Sequence, residues 1–286
     1  MSLTGKAKLA GVIGWPVAHS LSPRLHGYWI DKYGLDAAYV PLAVRPEDFA
    51  RVVDGLRRAG FRGVNVTVPH KQAAFALAAR ADFAAEITGA ANLLLFGEDG
   101  IAACNTDAAG LAASLSESLG ARALQGKTAA IWGAGGAARA AVLALSDLGM
   151  AQIRLFSREL SRAGAIVTAL TGNVSADFSV HGFEDWEKES AGLALLVNAT
   201  SAGMGRTPSI DLSLDGLPES ATVFDAVYNP LETGLLKRAK ARGLRPIDGL
   251  GMLMHQAVPA FEAFFEVRPQ IDAGLRRDLE EALHGG

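Results

Sequence analysis

The stretch Thr128-Ala-Ala-Ile-Trp-Gly133-Ala-Gly135-Gly136-Ala-Ala138-Arg139 decides the fold class of this chain. A short β-prone run meets a glycine cluster and a helix-favouring run follows, which is the context that a dinucleotide-binding fingerprint requires. Gly133 permits the tight turn, Gly135 lets backbone N–H groups approach a pyrophosphate, and Ala138 allows close packing of helix on strand. The helix N-terminus then offers unpaired N–H groups to the phosphates. A plain glycine-rich turn is the alternative, and the matching flanks on both sides favour nucleotide binding.

Composition limits the class of protein further. The chain has 286 residues, half of them apolar, which is enough for one large or two ordinary domains. A net charge of −3 without a basic stripe argues against nucleic acid as a partner. The single cysteine, Cys104, excludes an intrachain disulfide framework and suits a reducing compartment. No apolar run approaches the roughly 18 residues of a membrane span. We therefore expect a cytoplasmic protein with no membrane partner.

Short apolar runs alternate with helix-like segments along the chain. This alternation predicts an α/β architecture of parallel sheets with helices on both faces. Predicted strands include 152–156 and 174–178, and the turn Gly97–Gly100 predicts a hairpin. Ser22 before Pro23 predicts a helix with Ser22 at its N-cap. We place a domain boundary near residue 107, because the glycine fingerprint lies only after it.

Polar residues recur where predicted strands end and helices begin. In open α/β sheets, ligands bind outside the carboxyl ends of the strands, so this recurrence predicts a pocket for a polar ligand. Helix capping is the alternative explanation, and it accounts for Ser22, Thr67 and one of Thr106 and Asp107. The residues that capping leaves unexplained are Ser20, Lys71 and Asn92.

Lys71 is the candidate acid and base of this predicted pocket. An ammonium group beside a carbonyl can donate the proton that accompanies hydride arrival, and in reverse the neutral amine accepts one. Asp107 could orient Lys71 or share its proton. A surface lysine and a plain N-cap are the alternatives for the two residues. The six histidines show no close pair with metal-ligand spacing, so we expect no metal site.

Several motifs resemble those of the shikimate dehydrogenase family. They follow one another in family order over nearly the whole chain, from about residue 11 to 265. The motifs are Gly14-Trp-Pro-Val-Ala-His19-Ser-Leu-Ser-Pro-Arg-Leu-His26, Asn65-Val-Thr-Val-Pro-His-Lys71, Asn105-Thr-Asp107, Asn198-Ala-Thr-Ser-Ala-Gly-Met204, Asp225-Ala-Val-Tyr228-Asn-Pro230 and Gly249-Leu-Gly-Met-Leu-Met-His-Gln256-Ala257.

The resemblance implies NADPH-dependent reduction of 3-dehydroshikimate to shikimate. It also implies a two-domain α/β fold, with an N-terminal substrate domain, a Rossmann-like NADP-binding domain and the active site in the cleft between them. In that arrangement the substrate domain is residues 1–107, completed by C-terminal helices at 251–286, and the nucleotide domain is residues 108–250. The assembled state is expected to be a monomer or a homodimer.

The resemblance also assigns roles to individual residues. Lys71 and Asp107 would form the catalytic pair. The residues expected to contact the substrate are Ser20 and Ser22 at its carboxylate, Tyr228 near the carboxylate side, Thr67, Asn92, Asp107 and Gln256 at the ring hydroxyls, and Lys71. The residues expected to bind the cofactor are Gly133, Ala134, Gly135, Gly136, Ala137, Ser157, Arg158, Arg162, Thr200, Met204, Val227, Gly249 and Met252.

The end of the predicted strand 152–156 should lie beside the adenosine ribose and set the cofactor preference. Ser157 and Arg158 follow the strand, and two guanidinium groups, those of Arg158 and Arg162, suit a 2′-phosphate. Glu159 departs from the family pattern, in which a neutral residue is common. Its carboxylate could repel the phosphate, accept a ribose hydroxyl of NAD, or pair with Arg162.

Two other departures bear on the substrate. Gly27 stands where Asn commonly follows the histidine, and Leu93 stands where Thr is usual. A quinate-preferring or dual-specificity relative is therefore an alternative function, although Ser22 favours shikimate because quinate-preferring members often have Thr there. A non-catalytic NADP-sensing protein on the same fold is a second alternative, and the presence of both Lys71 and Asp107 argues against it.

Overall fold

A computed structural model describes residues 3–205 and 207–284, which form two compact units. One unit comprises the described residues up to Thr106 together with Gln256–His284, and the other comprises Asp107–His255. Each unit has its own six-stranded sheet. The predicted domain ranges, 1–107 with 251–286 and 108–250, stay a prediction of how function divides along the chain. Their residues 1, 2, 206, 285 and 286 lie outside the described part.

Strands and helices alternate along most of the chain. The strands of the first unit are β1 (Lys8–Gly14), β2 (Ala37–Ala43), β3 (Gly63–Val66), β4 (Arg80–Ala81), β5 (Leu93–Gly97) and β6 (Gly100–Cys104). Those of the second are β7 (Thr128–Trp132), β8 (Gln152–Phe156), β9 (Asp177–His181), β10 (Leu195–Asn198), β11 (Thr222–Asp225) and β12 (Arg245–Ile247). The α-helices are α1 (Ser22–Lys32), α2 (Phe49–Arg58), α3 (Lys71–Ala76), α4 (Phe83–Thr88), α5 (Asp107–Leu119), α6 (Gly136–Asp147), α7 (Leu160–Leu170), α8 (Trp186–Glu189), α9 (Gly234–Ala241), α10 (Leu250–Phe265) and α11 (Ala273–His284).

The sheet of the first unit has the order β2-β1-β3-β5-β6-β4 and is mixed. β1 pairs in parallel with β2 and β3, whereas β5 is antiparallel to both of its neighbours. The hairpin predicted at Gly97–Gly100 joins β5 to β6 and is confirmed. The prediction of parallel sheets is therefore wrong for β5, which is antiparallel to β3 and to β6. The hairpin explains the pairing with β6, because a short turn can only return the chain antiparallel.

The sheet of the second unit is parallel throughout, in the order β9-β8-β7-β10-β11-β12. Counted from its first strand, β7, this is the 3-2-1-4-5-6 order of a Rossmann fold. The strand order reverses between β7 and β10, and ligands of such sheets bind at this switch point. The predicted glycine turn follows β7 directly, so the topology confirms a Rossmann-like domain with its fingerprint at the expected place.

Two local predictions are wrong by a few residues. The strand predicted at 174–178 lies at Asp177–His181, where it pairs with β8 along its whole length. Val174 instead makes an isolated bridge to Thr171. Ser22 is not the N-cap of α1 but its first residue, and Leu21 occupies the cap position without a side-chain hydrogen bond.

Gly27 is expected to be replaceable by alanine with a gain in stability. It lies inside α1, and a Cβ placed there would meet no atom within 4 Å. Because glycine costs a helix interior about 0.5–1 kcal/mol relative to alanine, Gly27→Ala should raise the free energy of unfolding by about that amount. Gly63→Ala is the matched control: its Cβ would collide with the Leu94 carbonyl oxygen, so it should destabilise. Equilibrium unfolding in urea measures both, and a destabilised Gly27→Ala would contradict the prediction.

Candidate functional site

A buried polar cluster in the first unit joins several of the predicted substrate residues. The Asn92 amide nitrogen donates to Thr106 Oγ1 at 2.9 Å and to Gln256 Oε1 at 3.3 Å. The side-chain oxygen of Asn92, Oδ1, accepts a hydrogen bond from the Thr106 backbone N–H at 2.9 Å. Asn92 is 3% exposed and Thr106 is 7% exposed. The cluster therefore fixes the orientation of the Asn92 amide and places Gln256, from helix α10, beside it.

A second group of polar side chains lies where β1, β2 and β3 run side by side. The Tyr39 hydroxyl donates to Asn65 Oδ1 at 2.7 Å, and Asn65 Nδ2 donates to the Asn92 backbone carbonyl at 3.2 Å. The Ser22 backbone N–H donates to Ser20 Oγ at 3.3 Å. Hydrogen bonds thus connect Tyr39 to the Asn92 cluster through Asn65, and they connect the two predicted carboxylate-binding serines to each other.

Thr67 and Lys71 follow strand β3, next to the same clusters. The Thr67 N–H donates to the Ile13 carbonyl at 2.9 Å, which continues the β1–β3 ladder by one residue. Lys71 is the first residue of α3, and its carbonyl accepts from the Ala91 N–H at 2.8 Å. This hydrogen bond holds the backbone of Lys71 against Ala91, the residue that precedes Asn92. Asp107 follows Thr106 as the first residue of α5 and is 9% exposed.

Helix capping does not explain the polar residues at these strand ends. The N-cap of α3 is His70, which makes no side-chain cap, and Thr67 bonds to it only through its backbone carbonyl. Ser22 also fails to cap α1. The capping alternative is wrong for these two residues, and this leaves their hydroxyl groups for other partners.

The glycine turn of the second unit borders a cavity of about 280 Å³. Gly133 has φ +120°, and a Cβ on it would lie 2.8 Å from Thr200 Cγ2, so only glycine fits there. A Cβ on Gly135 or Gly136 would meet no protein atom within 4 Å. These two positions are open toward solvent at the N-terminus of α6, where a pyrophosphate could approach the backbone N–H groups. The residues lining the cavity are Gly133, Ala134, Gly135, Ser157, Arg158, Glu159, Arg162, Phe183 and Thr200.

The end of β8 supplies the charged part of this cavity. Ser157 is 5% exposed, and its hydroxyl bonds to both the N–H and the carbonyl of Glu159, which fixes the turn that carries Arg158. Glu159 pairs with Arg162 at 2.8 Å. Of the three possibilities for Glu159, the structure shows pairing with Arg162. Among residues 3–205 and 207–284, Arg158 makes no hydrogen bond or ion pair, and it is exposed.

A buried carboxylate organises the loops that follow β10 and β11. Asp225 Oδ1 accepts from the Asn198 amide at 2.8 Å and from the Val227 N–H at 3.0 Å, and Oδ2 accepts from the Thr233 hydroxyl at 2.7 Å. Burial raises the pKa of Asp225, and these three hydrogen bonds oppose the rise. Asn198 Oδ1 in turn accepts from the Thr200 N–H at 2.9 Å. The network therefore sets the position of Thr200, a lining residue of the cavity.

Other predicted cofactor residues lie around these loops. A Cβ on Gly249 would collide with the Ala226 carbonyl oxygen, so Gly249 lets the start of α10 approach the loop of Val227. Met204 is 43% exposed, Val227 is 4% exposed, and Met252 is half-buried. Tyr228, a predicted substrate residue next to Val227, is also half-buried. Gly136 and Ala137 are exposed in the first turn of α6. The predicted cofactor residues that do not line the cavity are Gly136, Ala137, Met204, Val227, Gly249 and Met252.

Comparison with known proteins identifies the family. The shikimate dehydrogenase substrate binding domain matches residues 12–94. The shikimate dehydrogenase (NADP(+)) of Paramagnetospirillum magneticum is 48% identical to this chain. The matched region covers 96% of this chain and 98% of the length of that relative. The chain belongs to the shikimate dehydrogenase family. Membership confirms the resemblance that the sequence motifs indicate, and with it the two-domain α/β fold class.

Solved structures of the shikimate dehydrogenase family and its relatives share this fold. Shikimate 5-dehydrogenase from Listeria monocytogenes, in complex with shikimate and NAD, has a TM-score of 0.89 at 30% identity and covers 99% of this chain and 98% of its own. Quinate dehydrogenase from Corynebacterium glutamicum, in complex with NAD, has a TM-score of 0.88 at 29% identity and covers 96% of this chain and 99% of its own. The fold is therefore common to enzymes named for either substrate.

Sequence reasoning missed residues that take part in these clusters. Tyr39, Asn65 and Thr106 hold the polar cluster of this shikimate dehydrogenase family member, and Phe183 lines the cavity. Asn65 carries a signal that could have found it, because an amide inside the apolar run Gly63–Val66 needs hydrogen-bond partners when buried. No group of three or more His, Cys, Asp or Glu side chains in the described part could hold a metal ion. No helix in that part has the length and apolar character needed to span a membrane.

Proposed function

We propose that this chain catalyses the reversible NADPH-dependent reduction of 3-dehydroshikimate to shikimate, a step of aromatic amino-acid and chorismate biosynthesis. The observation that carries the proposal is the 48% identity over nearly the full length of an NADP-dependent relative. The buried cluster around Asn92 supports it, since a small polyhydroxy acid needs several convergent donors and acceptors. A cytoplasmic location and a monomeric or homodimeric state stay predictions from the sequence.

The substrate-binding roles are part of the proposal. Ser20 and Ser22 bind the substrate carboxylate through their hydroxyls, with Tyr228 near that side. Asn92 and Gln256, whose side chains the structure holds together, bind ring hydroxyls. Thr67 and Asp107 complete the set. These groups offer both donors and acceptors, which a molecule with one carboxylate and several hydroxyls requires.

Lys71 and Asp107 are the proposed catalytic pair. Bound NADPH supplies the hydride for the carbonyl carbon. The Lys71 ammonium donates a proton to the carbonyl oxygen as it becomes a hydroxyl, and in the oxidative direction the neutral amine accepts that proton. Asp107 accepts a hydrogen bond from the reacting group or from Lys71, and so keeps the proton donor and the substrate aligned.

The fingerprint and the cavity fit a dinucleotide. Gly133, Ala134 and Gly135 with the first turn of α6, Gly136 and Ala137, would hold the pyrophosphate. Ser157, Arg158 and Arg162 would face the adenosine ribose and its 2′-phosphate. The other proposed cofactor residues are Thr200, Met204, Val227, Gly249 and Met252. Open space beside Gly135 and Gly136 supports this, because a phosphate can reach the backbone there.

A dual-specificity or quinate-preferring enzyme is the second candidate, favoured by the similarity to quinate dehydrogenase. We expect kcat/KM for shikimate to lie well above that for quinate, because Ser22 stands where quinate-preferring members of the family often have Thr. A spectrophotometric screen of both acids with NADP and NAD tests this. An equal or higher value for quinate would select the second candidate, and no turnover of either acid would overturn both.

A further inference from the structure

Phe183 borders the cavity of the second unit from the turn that follows β9. The Ser157 N–H donates to the carbonyl of His181, the last residue of β9, at 3.0 Å, so this turn lies beside the turn that follows β8. The Gly182 N–H donates to Asp185 Oδ2 at 3.0 Å, and the Asp185 N–H donates to the Gly182 carbonyl at 3.2 Å. These reciprocal hydrogen bonds fix the backbone on both sides of Phe183.

The ring of Phe183 is held by the aromatic core of the second unit. It stacks on Trp132, the last residue of β7, with ring centroids 4.1 Å apart and an angle of 6° between the planes. Trp132 is 6% exposed and packs in turn against Phe156 and Trp186. Phe183 is half-buried, so Trp132 covers part of its ring and the exposed part borders the cavity. The structure therefore presents a fixed apolar surface to the cavity.

The order of the strands indicates which part of a dinucleotide would meet Phe183. The strands β7, β8 and β9 are neighbours in a parallel sheet, so their carboxyl ends lie side by side at one edge. The turn after β7 carries the glycines proposed to hold the pyrophosphate, and the turn after β8 carries Ser157 and Arg158, which are proposed to face the adenosine ribose. Phe183 comes from the next turn, and the group attached to that ribose is the adenine base.

Adenine is a flat aromatic base, and contact with an aromatic side chain stabilises its binding. Among the described residues that line the cavity, Phe183 is the one aromatic side chain. We propose that Phe183 is an adenine-binding residue, which contacts the base through the part of its ring that Trp132 leaves uncovered. This inference rests on the proposed function, since it assumes that the cavity holds the adenosine end of NADP.

Phe183→Ala should raise Kd for adenosine 2′,5′-bisphosphate about 5- to 100-fold, the range expected when an aromatic contact with a base is truncated to alanine. This compound carries the adenine, the ribose and the 2′-phosphate without the nicotinamide, so titration calorimetry measures its binding without turnover. Phe183→Leu keeps apolar packing on Trp132 and protects the test against a variant that fails to fold. Its Kd should rise by a smaller factor, because leucine keeps apolar contact but is not flat.

Phe178→Ala is the matched control. Phe178 is also half-buried, lies on β9 and does not line the cavity. Its truncation should therefore leave Kd for adenosine 2′,5′-bisphosphate within about twofold of the wild type. Thermal unfolding of each variant shows whether the two truncations destabilise the chain to a similar extent.

Steady-state kinetics separate contact with the base from contact with the 2′-phosphate. NADP and NAD carry the same adenine, so Phe183→Ala should raise KM for both by the same factor and keep the preference between them within about twofold of the wild type. Arg158→Ala gives the contrast, since it should change that preference. KM for shikimate at saturating NADP should stay as in the wild type, because the proposed substrate residues, all in the described part, do not line this cavity.

Three results would overturn the inference. The first is a Phe183→Ala protein that binds adenosine 2′,5′-bisphosphate as tightly as the wild type does. The second is an equal loss of affinity in Phe178→Ala, which would mark a general effect on the fold. The third is a raised KM for NADP with an unchanged KM for NAD, which would assign Phe183 to the 2′-phosphate. The proposed function fails separately: a wild type that binds the bisphosphate through Phe183 but turns over no shikimate would keep the inference and overturn only that function.

Discussion

Lys71→Ala should lower kcat by about 10²-fold or more while KM for shikimate moves far less. This is the usual scale for removing a general acid or base, and the split between kcat and KM is expected of a group that acts in the transition state. The structure supports a positional role for this lysine, since its backbone carbonyl is held by the Ala91 N–H at 2.8 Å, next to the Asn92 cluster. Steady-state kinetics in both directions measure the effect.

Lys71→Arg tests whether the proton or only the positive charge matters. Arginine keeps the charge but does not deprotonate in proteins, so it cannot exchange the proton with the substrate oxygen. We expect kcat of Lys71→Arg to stay far below that of the wild type. Near-normal kcat in this variant would show that charge alone suffices, and near-normal kcat with raised KM in Lys71→Ala would make Lys71 a binding residue. Lys237→Ala, at an exposed position of α9, is the matched control.

Local patterns predicted the second unit well. The strand expected at 152–156 is β8, and the glycine turn after β7 lies at the switch point of the sheet. Both depend on residues close together in the chain: an apolar run fixes the strand, and the positive φ of Gly133 fixes the turn. The predicted position of β9 was wrong because pairing with β8 sets where this strand lies. Its residues Asp177 and Ser179 also carry no strong strand signal.

The sequence patterns could not predict contacts between residues that are far apart in the chain. Ser22 before Pro23 has the local appearance of an N-cap, but Leu21 occupies the cap position and Ser22 is the first residue of α1. Tyr39 meets Asn65 only because β1 lies between β2 and β3 in the sheet. The substrate and cofactor roles of individual residues stay predictions, because a role depends on where a ligand lies and not on the fold alone.

NADP should be preferred over NAD by at least about tenfold in kcat/KM, a difference of only about 1.4 kcal/mol. A 2′-phosphate gains charge-assisted hydrogen bonds from a guanidinium, each contributing roughly 1.5–3 kcal/mol. Arg158 lines the cavity on a turn that the buried Ser157 holds in place. One such contact is enough for the expected preference, so Arg158→Ala should erase most of it. Arg58→Ala, at an exposed position of α2, is the control and should leave the preference unchanged.

Glu159 decides how much Arg162 adds to this preference. Their ion pair, at 2.8 Å, joins side chains that are 55% and 68% exposed, and such surface pairs contribute little, about 0.2–1 kcal/mol. A 2′-phosphate should therefore compete successfully with Glu159 for Arg162, at a small cost. Glu159→Thr removes the competing carboxylate and its repulsion, so it should widen the preference for NADP. Measuring both cofactors at saturating shikimate, on the wild type and on Arg158→Ala and Glu159→Thr, tests the whole argument. A wild type that prefers NAD would show that Glu159, and not the two arginines, governs the site.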